Sequence, residues 1–344
     1  MKALVKTRSG AGFLQLMEVE RPEPEPGEVL LRVKAAGICG SDLHIKDDRL
    51  PNNPPVILGH EFSGEVVALG EKVSGFSVAD RVVSEPHKGG CGHCRYCMNA
   101  QVEICPQKKA IGYKIDGCFS EYICMPASSL HRIPNHLSFE TAALTEPLAV
   151  GVKALLERSR VEAEDLVVVL GSGPVGLLAA AAAKAGGAKS VVVAGTDLDL
   201  EVRLPIAREM GLDYAVSVQQ ADLKDLVSEL TDGVGADLVV EASGAPAAIN
   251  QAFELVRRDG RICGIGLASS DRVAVSWNQG LLKSVTISFS VSTSWTSWER
   301  ALSLLATGRV DVAPIISGSY PLDDFEEAFS TLENLKAVKN LFLP

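Results

Sequence analysis

The chain has 344 residues, 47% of them hydrophobic and 22% charged, with 33 basic against 43 acidic side chains and a formal charge of −10. At roughly 150 residues per domain this is about two domains, enough to bury a large core without disulfides. The acidic balance and the lack of a basic run exclude nucleic acid as an expected partner, and no apolar run reaches the ~20 residues that span a bilayer.

The N-terminus, MKALVKTRSG, carries no hydrophobic core or cleavage site of a secretory signal, so the expected location is cytoplasmic. Residues 1–30 alternate apolar and polar side chains and pass through Pro22, Pro24, Pro26 and Gly27. Residues 29–35, 65–69, 81–83 and 119–125 then read as short strands punctuated by Gly, Pro and Asn, the texture of a small β domain. Within it lie GICGSDLH (37–44) and GHE (59–61). Cys39 and His60 are a thiolate and an imidazole, the ligands a borderline metal favours. Glu61, and much later Glu146 in TEPL, are carboxylates that could complete the shell. Three protein ligands at a time leave a fourth position for water or an alcohol, as a catalytic metal requires.

Four of the eight cysteines fall between Cys91 and Cys105, as Cys91-x2-Cys94-x2-Cys97-x7-Cys105. In a reducing compartment such a cluster binds metal rather than forming disulfides, and four thiolates close a tetrahedral structural zinc site. His93, wedged between two of these ligands, is expected to be exposed.

From Glu146 the texture changes. Residues 167–170 form a continuous apolar run, as in a strand buried on both faces. Gly171-Ser172-Gly173-Pro174-Val175-Gly176 follows and opens an Ala-rich helix over 177–185. A G-x-G-x-x-G in this strand-turn-helix context places a pyrophosphate on the helix N-terminus. Strands at 190–194, 214–217, 237–241, 261–265 and 285–289 alternate with helices at 201–210, 223–230 and 247–256, which predicts a doubly wound parallel sheet. Strand 285–289 is apolar enough to pair with a second copy. Helices at 297–305 and 325–332 and a strand at 340–343 close the chain, and that strand is expected back in the N-terminal β domain.

Taken together, these segments resemble the zinc-dependent medium-chain alcohol dehydrogenases. GICGSDLH, GHEFSGEVVALG, the four-Cys lobe, EPLAVGVKAL and GSGPVG appear in that family's order and approximate spacing, over essentially the whole chain. GHE and EPL look most like the polyol (sorbitol-type) and threonine dehydrogenase branch. The resemblance implies an α/β protein: a GroES-like catalytic domain over 1–148 with a zinc lobe at 89–106, a Rossmann domain over 149–289, and a return to the catalytic domain over 290–344. It implies two zinc ions per chain, one held by Cys39, His60 and Glu61 or Glu146 in the cleft between domains, one by the four-Cys lobe. Ser41 and His44 match the family's proton relay, with Glu61 as the third catalytic residue. NAD or NADP would lie on Gly171, Ser172, Gly173, Pro174, Val175, Gly176, Gly195, Thr196, Arg203 and Ile265.

The activity so implied is hydride transfer between a secondary alcohol or polyol and NAD(P), giving the ketone, by a homodimer or homotetramer. Amino alcohol oxidation of the L-threonine 3-dehydrogenase kind is the alternative. A non-catalytic member of the scaffold is a third reading, opposed by the full set of ligands and relay residues. Two positions depart from the family's pattern. The strand tip that ordinarily carries an acid for the ribose of NAD is Gly195-Thr196, open to a 2′-phosphate partnered by Arg203, though Asp197 nearby opposes that charge. The places where sorbitol-type enzymes carry an aromatic and an arginine look like Ile45 and Ser290.

Overall fold

The computed structural model describes residues 1–268 and 270–344, and they fall into two units. The first comprises Met1–Glu146, Thr293–Ala306 and Ile316–Pro344; the second comprises Pro147–Ser292 and Thr307–Ile315. Among the described residues, no helix is long and apolar enough to cross a membrane.

In the first unit the strands are β1 (Lys2–Lys6), β2 (Leu14–Glu18), β3 (Glu28–Gly37), β4 (Val56–Ile57), β5 (Glu61–Leu69), β6 (Arg81–Ser84), β7 (Tyr122–Pro126) and β8 (Leu130–Arg132). Its helices are α1 (Gly40–Lys46), α2 (Arg95–Met98) and α3 (Phe139–Ala143), with α4 (Thr145–Val152) running into the second unit. β1 lies between β2 and β4 in a small antiparallel sheet. β3 is the spine of the larger sheet, pairing antiparallel with both β5 and β7. Leu31, Val33, Phe62, Val66, Phe119 and Ile123 fill the core beneath it.

The second unit holds β9 (Leu166–Leu170), β10 (Ser190–Gly195), β11 (Tyr214–Ser217), β12 (Ala236–Glu241), β13 (Val256–Gly264) and β14 (Thr286–Phe289) in one parallel sheet, ordered β11-β10-β9-β12-β13-β14. This is the doubly wound order, in which ligands bind at the carboxyl ends of the strands where the order reverses, beside β9. Every residue of β9 is buried, as its unbroken apolar run requires. The helices are α5 (Pro174–Gly186), α6 (Arg203–Glu209), α7 (Leu223–Leu230), α8 (Pro246–Leu255) and α9 (Trp277–Lys283). The sequence reading gave no helix for α9, because Gly280 in its middle carries the poorest propensity short of proline. A Cβ there would meet the Phe253 ring of α8 at 2.8 Å, so packing demands the glycine that hides the helix. β14 ends the sheet, with Ile287 and Phe289 exposed.

The chain then runs through α10 (Trp295–Ala306), β15 (Ile316–Tyr320), α11 (Phe325–Glu333) and β16 (Lys339–Phe342), all in the first unit. The return from residue 290 is not continuous: Thr307–Ile315 stays with the second unit, where Arg309 donates to the Ala185 carbonyl in the last turn of α5. β16 pairs antiparallel with the end of β3, matching Leu341 to Gly37 and Phe342 to Ala36.

Candidate active site

The first cluster is built at the end of β3. Cys39 is extended, with φ −92° and ψ 156°, and caps α1. Asp42, three residues on and fully buried, accepts the Cys39 N–H at 2.8 Å. Its other oxygen faces His60 Nδ1 at 3.5 Å. A carboxylate behind one ring nitrogen fixes the imidazole's orientation and leaves the other nitrogen for a metal. Burial disfavours charge on His60, but Asp42 and Cys39 outweigh it and raise its pKa. Gly59, at φ +88°, makes the turn before His60; a Cβ there would strike the Phe119 ring at 2.3 Å. The ligand atoms of Cys39, His60 and Glu61 all lie within 4.8 Å of one another. A thiolate, an imidazole and a carboxylate so grouped fit zinc with a position open.

Glu61 is held from behind. Lys339 Nζ donates to both carboxylate oxygens, at 2.7 and 2.9 Å, and to the Ile38 carbonyl at 3.0 Å. Both side chains are essentially unexposed. Burial works against the ammonium, yet Glu61 holds its pKa above the ordinary lysine value. Each Glu61 oxygen keeps a free lone pair, so the carboxylate can still face a cation. Glu146 is not part of the grouped ligands. It is buried, and burial followed by the charge of Glu61 pushes its pKa up to about 7.

Ser41 and His44 lie three apart on α1 and so share a face. Ser41 Oγ is 3.4 Å from His60 Nε2. His44 is half-buried; burial, then Arg49, lowers its pKa, against Asp47. Ile45 faces the core of this unit and offers nothing to a substrate. Ser290 is buried, with no partner for its hydroxyl.

The second cluster is the four-Cys lobe, where no cysteine is in a disulfide. Sγ of Cys91 and Cys97 are 3.9 Å apart, Cys94 and Cys97 3.6 Å, and Cys94 and Cys105 3.8 Å. A tetrahedron with Zn–S bonds of about 2.3 Å has edges of about 3.8 Å, so these sulfurs already fit zinc. Backbone N–H groups of Cys91, Cys94 and Cys97 point at the sulfurs of Cys105, Cys91 and Cys94. The N–H groups of His93 and Cys94 lower the Cys91 thiol to about 6. The Gly92 N–H works the same way on Cys97, but burial and the neighbouring thiols push it up to about 11. Thiols that cannot all ionise alone are the donor set a dication resolves. His93 is exposed.

A third site lies at the carboxyl ends of β9 and β10. Gly171 turns at φ +119°, and a Cβ on Gly176 would sit 2.0 Å from the Gly171 carbonyl. Pro174 opens α5, and Gly173 precedes it in open space, which leaves a cradle for a pyrophosphate. The Ser172 hydroxyl is buried without a partner. These features fit a dinucleotide. Gly195 ends β10 beside Ser172, Thr196 caps the turn that follows, and Arg203 is bonded to Asp199 rather than free. Ile265, just past β13, is half-buried and donates its N–H to the Glu241 carbonyl.

Asp42, Lys339 and Asp199 escaped the sequence reading. Asp42 had a signal in its offset of three from Cys39, and Lys339 in being a lone charge in an apolar terminal strand. Asp199 had none.

Residues 25–135 match the alcohol dehydrogenase GroES-like domain, and residues 174–307 match the zinc-binding dehydrogenase domain. A sorbitol dehydrogenase of Halalkalibacterium halodurans is 42% identical over 100% of this chain and 99% of its own length. An L-threonine 3-dehydrogenase of Vibrio parahaemolyticus is 37% identical over 97% of this chain and 96% of its own. A solved zinc-binding dehydrogenase of Sinorhizobium meliloti 1021, bound to NADP, superposes with a TM-score of 0.92 at 29% identity, covering 100% of this chain and 99% of its own.

Proposed function

Because this chain belongs to the zinc-dependent medium-chain dehydrogenase family, in its polyol and threonine dehydrogenase branch, and is an oxidoreductase, we propose that it oxidises a small secondary alcohol or polyol to the ketone at the site headed by Cys39, using NAD or NADP. The observation that carries this reading is the grouping of Cys39, His60 and Glu61 within 4.8 Å. Zinc bound there would supply a Lewis acid that favours ionisation of a substrate hydroxyl, and the nicotinamide would accept the hydride.

The chain's own residues do the rest. Asp42 keeps His60 turned toward the metal position, and Lys339 fixes the Glu61 carboxylate. Ser41, beside His60, receives the hydroxyl proton, and His44, one turn along α1, passes it to solvent. The lowered pKa of His44 leaves it uncharged near neutrality, able to accept a proton. The test is a panel of polyols, secondary alcohols and amino alcohols, each assayed with NAD and with NADP. Zinc-loaded protein that oxidises no member of the panel would overturn the proposal. The identity to L-threonine 3-dehydrogenases supports a second reading, which wins if L-threonine gives the highest kcat/KM of the panel.

The relay makes its own prediction. General base catalysis contributes ~10²–10⁴ in rate, and water can partly bypass a relay to solvent. His44→Ala should therefore lose about tenfold or more near neutral pH and recover as pH rises and hydroxide replaces the base. Ser41→Ala should lose more, with zinc content and nucleotide affinity unchanged in both. A kcat profile for His44→Ala that overlays wild type from about pH 6 to 9 removes the relay from the mechanism.

A further inference from the structure

We infer that Asp199, folded back against the tip of β10, makes this protein select NAD over NADP. The inference rests on the dehydrogenase reading above. A strand ending in Gly195 presents no side chain to a ribose, which by itself leaves room for a 2′-phosphate. That room is taken. A Cβ on Gly195 would meet Ser172 Oγ at 2.7 Å and Asp199 Oδ2 at 3.0 Å. The turn Asp197–Asp199 after the strand returns a carboxylate to the space a tip side chain would enter.

Asp199 is 6% exposed and firmly held. Its Oδ2 accepts the Thr196 N–H at 2.8 Å and the Thr196 hydroxyl at 2.9 Å, and its Oδ1 accepts Arg203 Nη1 at 3.2 Å. A carboxylate has about four acceptor positions, so one remains on Oδ1. Two buried polar atoms around this turn have no partner: Ser172 Oγ, which with Asp199 flanks the Gly195 position, and Arg203 Nε. The Ser172 hydroxyl, in the glycine turn and against Gly195, can both donate and accept, which suits a ribose diol.

Charge decides against the phosphate. Among the described residues, Arg203 is the only cation bonded to this turn, and Asp199 already neutralises it. Asp197 adds a second carboxylate, which accepts the Ser217 hydroxyl at 2.6 Å. The tip therefore carries two acids against one base, and a 2′-phosphate of charge near −2 would meet net repulsion.

The experiment titrates zinc-loaded protein with NADH and with NADPH by calorimetry, without substrate. Wild type should bind NADH at least about tenfold tighter. Asp199→Asn keeps the size and most hydrogen bonds, removes the charge and frees Arg203. It should tighten NADPH binding and close the gap by about tenfold, as loss of one repulsive pair allows. Arg203→Met covers the case of a misfolded Asp199→Asn, and should leave the preference for NADH in place. Equal or tighter NADPH binding by wild type, an unchanged ratio in folded Asp199→Asn, or selective loss of NADPH binding in Arg203→Met would each overturn the assignment. Binding of neither nucleotide would instead overturn the dehydrogenase reading itself.

Discussion

Cys39→Ser is expected to abolish turnover and leave the protein folded, while Cys97→Ser should cost stability first. The contrast follows from what surrounds each thiol. Cys39 is half-exposed at the cap of α1, on a frame made by β3, β5 and β16. That frame has its own apolar core, so it does not need the metal to fold. Serine puts a poorer ligand in place of the thiolate. Loss of a Lewis acid forfeits several kcal/mol of charge stabilisation, about 10³-fold or more in rate.

Cys97 stands in the opposite situation. No residue of α2 is buried, and Met98 is exposed, so the lobe has almost no core of its own. A closed thiolate site contributes its binding energy to folding outright. Wild type should carry two zinc ions per chain, one for each cluster, and each variant one. Elemental analysis with thermal denaturation checks both halves. If Cys97→Ser kept full stability while Cys39→Ser unfolded, the two sites would be assigned the wrong way round.

What the sequence disclosed was local. The lobe cysteines span fifteen positions and Gly171 to Gly176 six, so spacing alone implied their chemistry, while Cys39, Ser41 and His44, within six positions, took their roles from the family resemblance. The central strands of the second unit, β9, β10 and β12, were legible because burial on both faces leaves a nearly unbroken apolar run. What stayed hidden depends on chain reversal. Counting along β10 put Gly195 at the tip and Asp197 as the nearest acid, two residues late, because counting cannot show that the next turn brings Asp199 back to the strand tip. Glu61 and Glu146 were equivalent in sequence, and only the fold groups Glu61 with Cys39 and His60. Lys339 lies 278 positions from Glu61, and nothing but the pairing of β16 with β3 brings them together.

That hidden residue carries the other large effect. Lys339→Met should destabilise the first unit by about 3–5 kcal/mol, because removing one partner strands a buried charge. Methionine matches the length of the lysine stem but offers no donor. Both Glu61 oxygens and the Ile38 carbonyl would then lose their bonds inside a fully buried pocket. Glu146, already pushed to about 7 by burial and by Glu61, would also lose the opposing charge of Lys339. For a unit of this size the loss corresponds to a fall of about 6–20 °C in the midpoint of its thermal transition. Lys339→Arg keeps the charge and should lose much less. The double variant Lys339→Met, Glu61→Leu removes both ions, and replacing a buried pair with apolar side chains is often neutral or stabilising. It should regain most of the lost stability while remaining unable to oxidise any alcohol. Thermal denaturation of the four proteins, with zinc content measured in parallel, separates the two roles of the pair. A Lys339→Met transition within about 2 °C of wild type would show that water or a neighbouring group already shields Glu61, and that Lys339 does not hold it.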